Sequence, residues 1–228
     1  MWYFWLAAIL AGVILQVLVV AALLKGPYRE FRLLFVYCVI LLLATVVDAS
    51  AYYSPGMWTR TSRTYWVSDA VLQFLIYCVV ISLIHRGLEN SPERMRIRRF
   101  LIVGAVVFTA LSLVLTQGGM IGVWMTKLAR NLGFCAVILN LILWAVLLKS
   151  RHPDRRLLLI SGGLGIQMAG KAIGHSLRQI SVPTRIPGNL VIVLTHLICL
   201  YVWWQTFRTS SAGPERIRQE RAERSPRL

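Results

Sequence analysis

Seven long apolar runs joined by short polar connections make up most of the chain: residues 2–24, 31–53, 65–84, 100–117, 123–148, 157–180 and 187–207. About 20 apolar residues in a helix cross the hydrocarbon layer of a bilayer, and each run has roughly that length. The pattern predicts an all-α integral membrane protein of seven transmembrane helices. No soluble domain fits between them, because the longest ordered connection, residues 85–99, is short. The chain divides into one seven-helix domain, residues 1–207, and a tail, residues 208–228. That tail is rich in Arg, Glu, Ser and Pro, with little to bury. Its first run lacks a basic leader and a small-residue cleavage site, so it reads as a retained span rather than a signal peptide.

The run at 157–180 interrupts its apolar pattern most. Gln167, Lys171, Gly174 and Arg178 recur on one narrow face at about 100° per residue, with His175 at its edge. Ionisable groups on a spanning helix face protein or water rather than acyl chains, so this face is expected to wall a polar cavity. Gly170 and Gly174 have the small-xxx-small spacing that lets helices approach closely. They are expected to serve packing within the chain, with a dimer face as the alternative.

Composition supports the membrane reading. Hydrophobic residues make up 57% of the chain and its mean hydropathy is +0.64, beyond the range of soluble domains. A net charge of +16 could suggest nucleic acid. The cations punctuate apolar runs instead of lining one soluble face, so nucleic acid is not an expected partner. Eighteen of the 25 basic residues fall on one side, in or at the edge of its connections, or in the tail. The rule that Lys and Arg stay cytoplasmic then puts the N-terminus outside and the C-terminus in the cytoplasm. Anionic lipid headgroups are expected partners of that face, together with a protein partner in the membrane or cytoplasm.

The remaining charge within spans gathers in the outer half. Asp48 ends the second run, and Asp69 and Gln73 begin the third. Lys127 and Arg130 begin the fifth, and Lys171, His175 and Arg178 close the sixth. With Gln167, these nine residues form the candidate ligand site: either two acids neutralise two of the cations, or a bound anion compensates the surplus. Trp2, Tyr3, Trp5, Trp58, Tyr65 and Trp66 read as outer interfacial anchors, and Trp203 and Trp204 as inner ones. The four cysteines all lie in apolar runs and read as small core residues. No metal or cofactor set is indicated. His196, near the midplane beside Thr195, reads as an interhelical hydrogen-bonding residue.

Seven spans with an external N-terminus are similar in outline to the microbial rhodopsins. Those carry retinal on a Lys of the last helix, and residues 187–207 contain no Lys. In span count and polarity the chain also resembles the seven-span sensor modules that precede bacterial histidine kinases and cyclases, and other bacterial seven-span membrane proteins. The resemblance covers residues 1–207 and implies the bacterial inner membrane as location. It carries over no functional residues. The expected function is receptor-like and not enzymatic: a small anionic or amphiphilic ligand binds in the outer polar cavity, and the state passes to a separate partner. A small-molecule or lipid transporter, or an accessory subunit of a larger membrane complex, is the alternative.

Overall fold

The structure is a computed structural model and describes residues 2–53, 58–87, 103–104, 121–149, 154–181 and 183–211. The described chain is all-helical. Helix α1 (Trp2–Leu24) leads through a short 3-10 turn, Pro27–Arg29, into α2 (Arg32–Tyr53). Then follow α3 (Trp58–Gly87), α4 (Ile121–Lys149), α5 (Arg155–Ile180) and α6 (Arg185–Ser211). Six long helices are therefore described where seven were expected. The run at 100–117 lies outside the described residues except for Val103 and Gly104, which are helical. Residues 212–228, most of the basic tail, also lie outside them.

Among the described residues, four segments are long and apolar enough to cross a membrane: Trp5–Leu24, Ser68–Gly87, Arg155–Arg178 and Arg185–Arg208. Arg32–Val47 and Gly133–Ala145 are shorter apolar stretches within α2 and α4.

Local chemistry sets the helix ends. Asp154 caps α5, its carboxylate accepting from the Arg156 amide at 2.9 Å. Ser181 then takes extended backbone, and Thr184 ties the turn by donating to the Leu177 carbonyl at 2.6 Å. Pro187 sits in the first turn of α6, where a missing N–H costs nothing.

The relative directions of two helix pairs follow from contacts at glycines. A Cβ on Gly163 would lie 2.9 Å from Trp203 Nε1, and one on Gly174 would lie 2.6 Å from the Gly188 carbonyl, so α5 and α6 are antiparallel. Glycines 163, 170 and 174 bring α6 against α5, while Gly162 and Gly165 receive Trp144 and Asn140 of α4. The glycine face thus packs within the chain. By contrast α3 and α4 run parallel: Gln73 lies against Gly133, and Gly87 against Leu143 and Leu147.

One end of the bundle is basic. Arg86 at the end of α3 donates to the carbonyl and the carboxylate of Glu30, at 2.8 and 2.9 Å, and its guanidinium lies 4.4 Å from the Phe31 ring centroid. Phe31 packs edge-on against Phe207, and Trp203 donates its indole N–H to the Ile160 carbonyl at 3.0 Å. These contacts gather Lys25, Arg29, Arg32, Arg86, Arg155, Arg156 and Arg208 at the same end. Trp203, expected at an interface, is instead fully buried, because Gly163 leaves room for its ring inside the bundle. Trp204 is half-buried beneath the Arg208 guanidinium, 5.2 Å from its ring centroid. Trp58, Tyr65 and Trp66 have no described side chains. Cys38 and Cys199 are buried, as their apolar neighbours predict, and Cys78 and Cys135 are half-buried.

Among the described residues, burial is concentrated between the basic end and mid-height. On α5, Leu157, Leu164 and Met168 share one stripe with Lys171 and His175 at helical spacing, opposite the exposed Leu159, Ile166, Ile173 and Ile180. The same stripe is buried through Met168, half-buried at Lys171 and exposed at His175. On α3 the buried stripe Leu83, Val80, Ile76 ends likewise at a half-buried Asp69. Both stripes face the interior, so their last members look across the far end of the bundle.

Candidate functional site

At mid-height four helices meet through uncharged polar side chains. Gln16 of α1 lies 3.1 Å from Thr45 Oγ1 of α2 and 3.4 Å from His196 Nε2 of α6. The other ring nitrogen, His196 Nδ1, lies 3.0 Å from the Gln167 amide of α5, which is 3.4 Å from the Tyr37 hydroxyl of α2. Gln16 and Gln167 are almost fully buried, and Thr45 donates its own proton to the Leu41 carbonyl at 2.8 Å.

Donor and acceptor roles follow from that last bond. Having donated to Leu41, Thr45 accepts from the Gln16 nitrogen, whose second hydrogen points at His196 Nε2. Gln167 Nε2 donates to the Tyr37 hydroxyl and faces the ring's other nitrogen, so the imidazole sits between the two glutamine amides with its donor and acceptor roles set by its tautomer. The arrangement ties α1, α2, α5 and α6 together without an ion. One polar atom in it, Gln16 Oε1, is buried without a hydrogen-bond partner.

This network changes the expected membership of the site. Gln167 belongs to the buried centre and does not line an open cavity, because Gly170 and Gly174 bring α6 onto the face it shares. Gln73 is buried against Gly133, in the seam between α3 and α4. Arg178 is exposed and lays its stem on Gly188, where a Cβ would come within 3.0 Å of Arg178 Cγ. Asp48, Lys127 and Arg130 lie on helices, but their side chains fall outside those described.

Electrostatics relate four of the nine expected residues. Asp69, Lys171 and Arg178 all lie within electrostatic reach of His175, Asp69 opposing the two cations. Lys171 also lies within electrostatic reach of His196, and Asp69 of Tyr37. Among the described residues no ion pair joins Asp69 to Lys171, His175 or Arg178. The observed ion pair, Arg86 with Glu30, is at the basic end. Nor does any group of three or more His, Cys, Asp or Glu side chains among the described residues stand where it could hold a metal ion.

Sequence reasoning missed Gln16, Tyr37 and Thr45 as partners of His196 and Gln167. The signal was depth: Gln16 and His196 each stand near the middle of an apolar run, and polar groups at one depth find one another. Against known proteins, the chain matches no family model, no curated protein and no solved structure.

Proposed function

We propose that the chain is a receptor-like, seven-span protein of the bacterial inner membrane that binds a small anionic or amphiphilic ligand at the far end of its bundle. That end faces outward, and the basic end faces the cytoplasm, its anionic headgroups and a protein partner. The parallel course of α3 and α4 supports the seventh span, since the chain leaves α3 at the basic end and enters α4 at the other. The gathering of seven described cations at one end supports the orientation. The bacterial inner membrane rests on the resemblance in outline to sensor modules.

The observation that carries the ligand reading is the opening of the interior stripe. Leu157, Leu164 and Met168 are closed over by neighbouring helices, and the next two members of the stripe, Lys171 and His175, are not. An ionisable side chain there faces a water-accessible mouth, and Lys171 has no carboxylate closed upon it among the described residues. An anionic group entering the mouth gains a charge-assisted hydrogen bond at that ammonium.

The test is Lys171→Met in detergent-purified protein. Without a paired carboxylate to orphan, unfolding stability should stay within about 0.5 kcal/mol of the parent. A lysophosphatidylglycerol probe at about 100 times its Kd should stabilise the parent by about 2.7 kcal/mol and leave the variant unmoved. A loss of about 3–5 kcal/mol on Lys171→Met, relieved by adding Asp69→Asn, would instead make the two a structural strut.

A further inference from the structure

We infer that the ligand of the outer mouth is a zwitterion, with an acid group received by Lys171 and a primary ammonium received by Asp69. The inference rests on the ligand reading above and narrows it to one chemical class.

It starts from the placement of two opposite charges. Asp69 continues the buried stripe of α3 and Lys171 continues that of α5, so separate helices hold them at the same end of the bundle. Each is half-buried, and both act on His175. They do not close on each other, and no other described residue neutralises either one. A simple anion would meet Lys171 but bring its charge towards Asp69. A simple cation would meet Asp69 but face Lys171 and Arg178. One small molecule carrying both charges satisfies both helices and is repelled by neither, which is how a site excludes the singly charged analogues.

Below the mouth, the floor is uncharged. His196, Gln167 and Tyr37 are already engaged with one another, so they offer a polar base without a third fixed charge. The ligand's two charged groups are therefore read by Asp69 and Lys171. The chemistry occurs in free amino acids and aminoalkyl phosphates, and in the headgroup of an ethanolamine phospholipid.

Calorimetric titration of the full-length, detergent-purified protein tests this with matched probes: phosphoethanolamine against ethyl phosphate, and β-alanine against propionate. At least one zwitterion should bind about tenfold or more tighter than its singly charged partner. Asp69→Asn should erase the difference, the zwitterion losing affinity and the plain acid binding at least as tightly as in the parent, which also shows the variant folded. Lys171→Met should abolish both. If the free probes are silent, a lipid headgroup remains the source when nanodiscs of phosphatidylglycerol raise the unfolding temperature on adding phosphatidylethanolamine, and Asp69→Asn removes the rise. Equal binding of acids and zwitterions, indifferent to Asp69→Asn, would overturn the inference and leave an acid-binding site standing. Silence of all probes and both nanodiscs, with Lys171→Met without effect, would overturn the site itself.

Discussion

Gly170→Val is expected to be the most damaging single change in the described bundle, costing about 3 kcal/mol or more. A Cβ at this position would overlap the Thr195 side chain, meeting its Oγ1, Cβ and Cγ2 together. Thr195 cannot swing aside freely, because its hydroxyl donates to the Val191 carbonyl at 2.7 Å on its own helix. The two helices must separate, and Gly174 with its contact to the Gly188 carbonyl separates with them. Gly170→Ala should cost less than Gly170→Val, and Thr195→Gly on the opposite helix should restore much of the loss by emptying the space the new Cβ takes. Thermal unfolding in detergent measures all three. An indifferent Gly170→Val would mean that α6 does not seat on α5 in the membrane.

Much of this was legible in the amino-acid pattern. Runs of membrane length located the helices, and each of the six long helices described encloses or nearly coincides with an expected span. The glycines at 170 and 174 marked a close approach before its partner was known. What the pattern could not say was which helix approaches, and that decided the site. Gln167, Lys171, Gly174 and Arg178 share a face by periodicity, yet α6 covers that face, leaving Gln167 buried and sending Arg178 to the surface. Trp203 failed as an interfacial anchor for a related reason: a glycine at position 163, seven residues from Gly170 on the same face, opens a pocket for its indole. Periodicity assigns directions to side chains, whereas the identity of the facing element is a tertiary fact. Charge distribution transferred better, because Asp69, Lys171 and His175 stay at the far end whichever neighbours they have.

His196→Leu is expected to destabilise the bundle by about 2 kcal/mol, more than loss of an apolar contact of that size at the helix surface. The ring presents one nitrogen to Gln16 and the other to Gln167, and both glutamines are almost fully buried. Leucine fills the space but leaves two amides facing a group that neither donates nor accepts, and a buried polar group without a partner costs about 1–3 kcal/mol. If desolvation of those amides is the cause, replacing the whole set with apolar groups should recover stability: Gln16→Met, Tyr37→Phe, Gln167→Met and His196→Leu together, with Thr45 still bonded to Leu41. The combined variant should unfold at nearly the parent temperature. Its ligand response is the more informative reading. Lys171 lies within electrostatic reach of His196, so an apolar floor would withdraw polar surroundings from the ammonium above it and weaken binding at the mouth even where folding is restored. A combined variant as unstable as His196→Leu alone would show that the network's shape, rather than its hydrogen bonds, holds the four helices together.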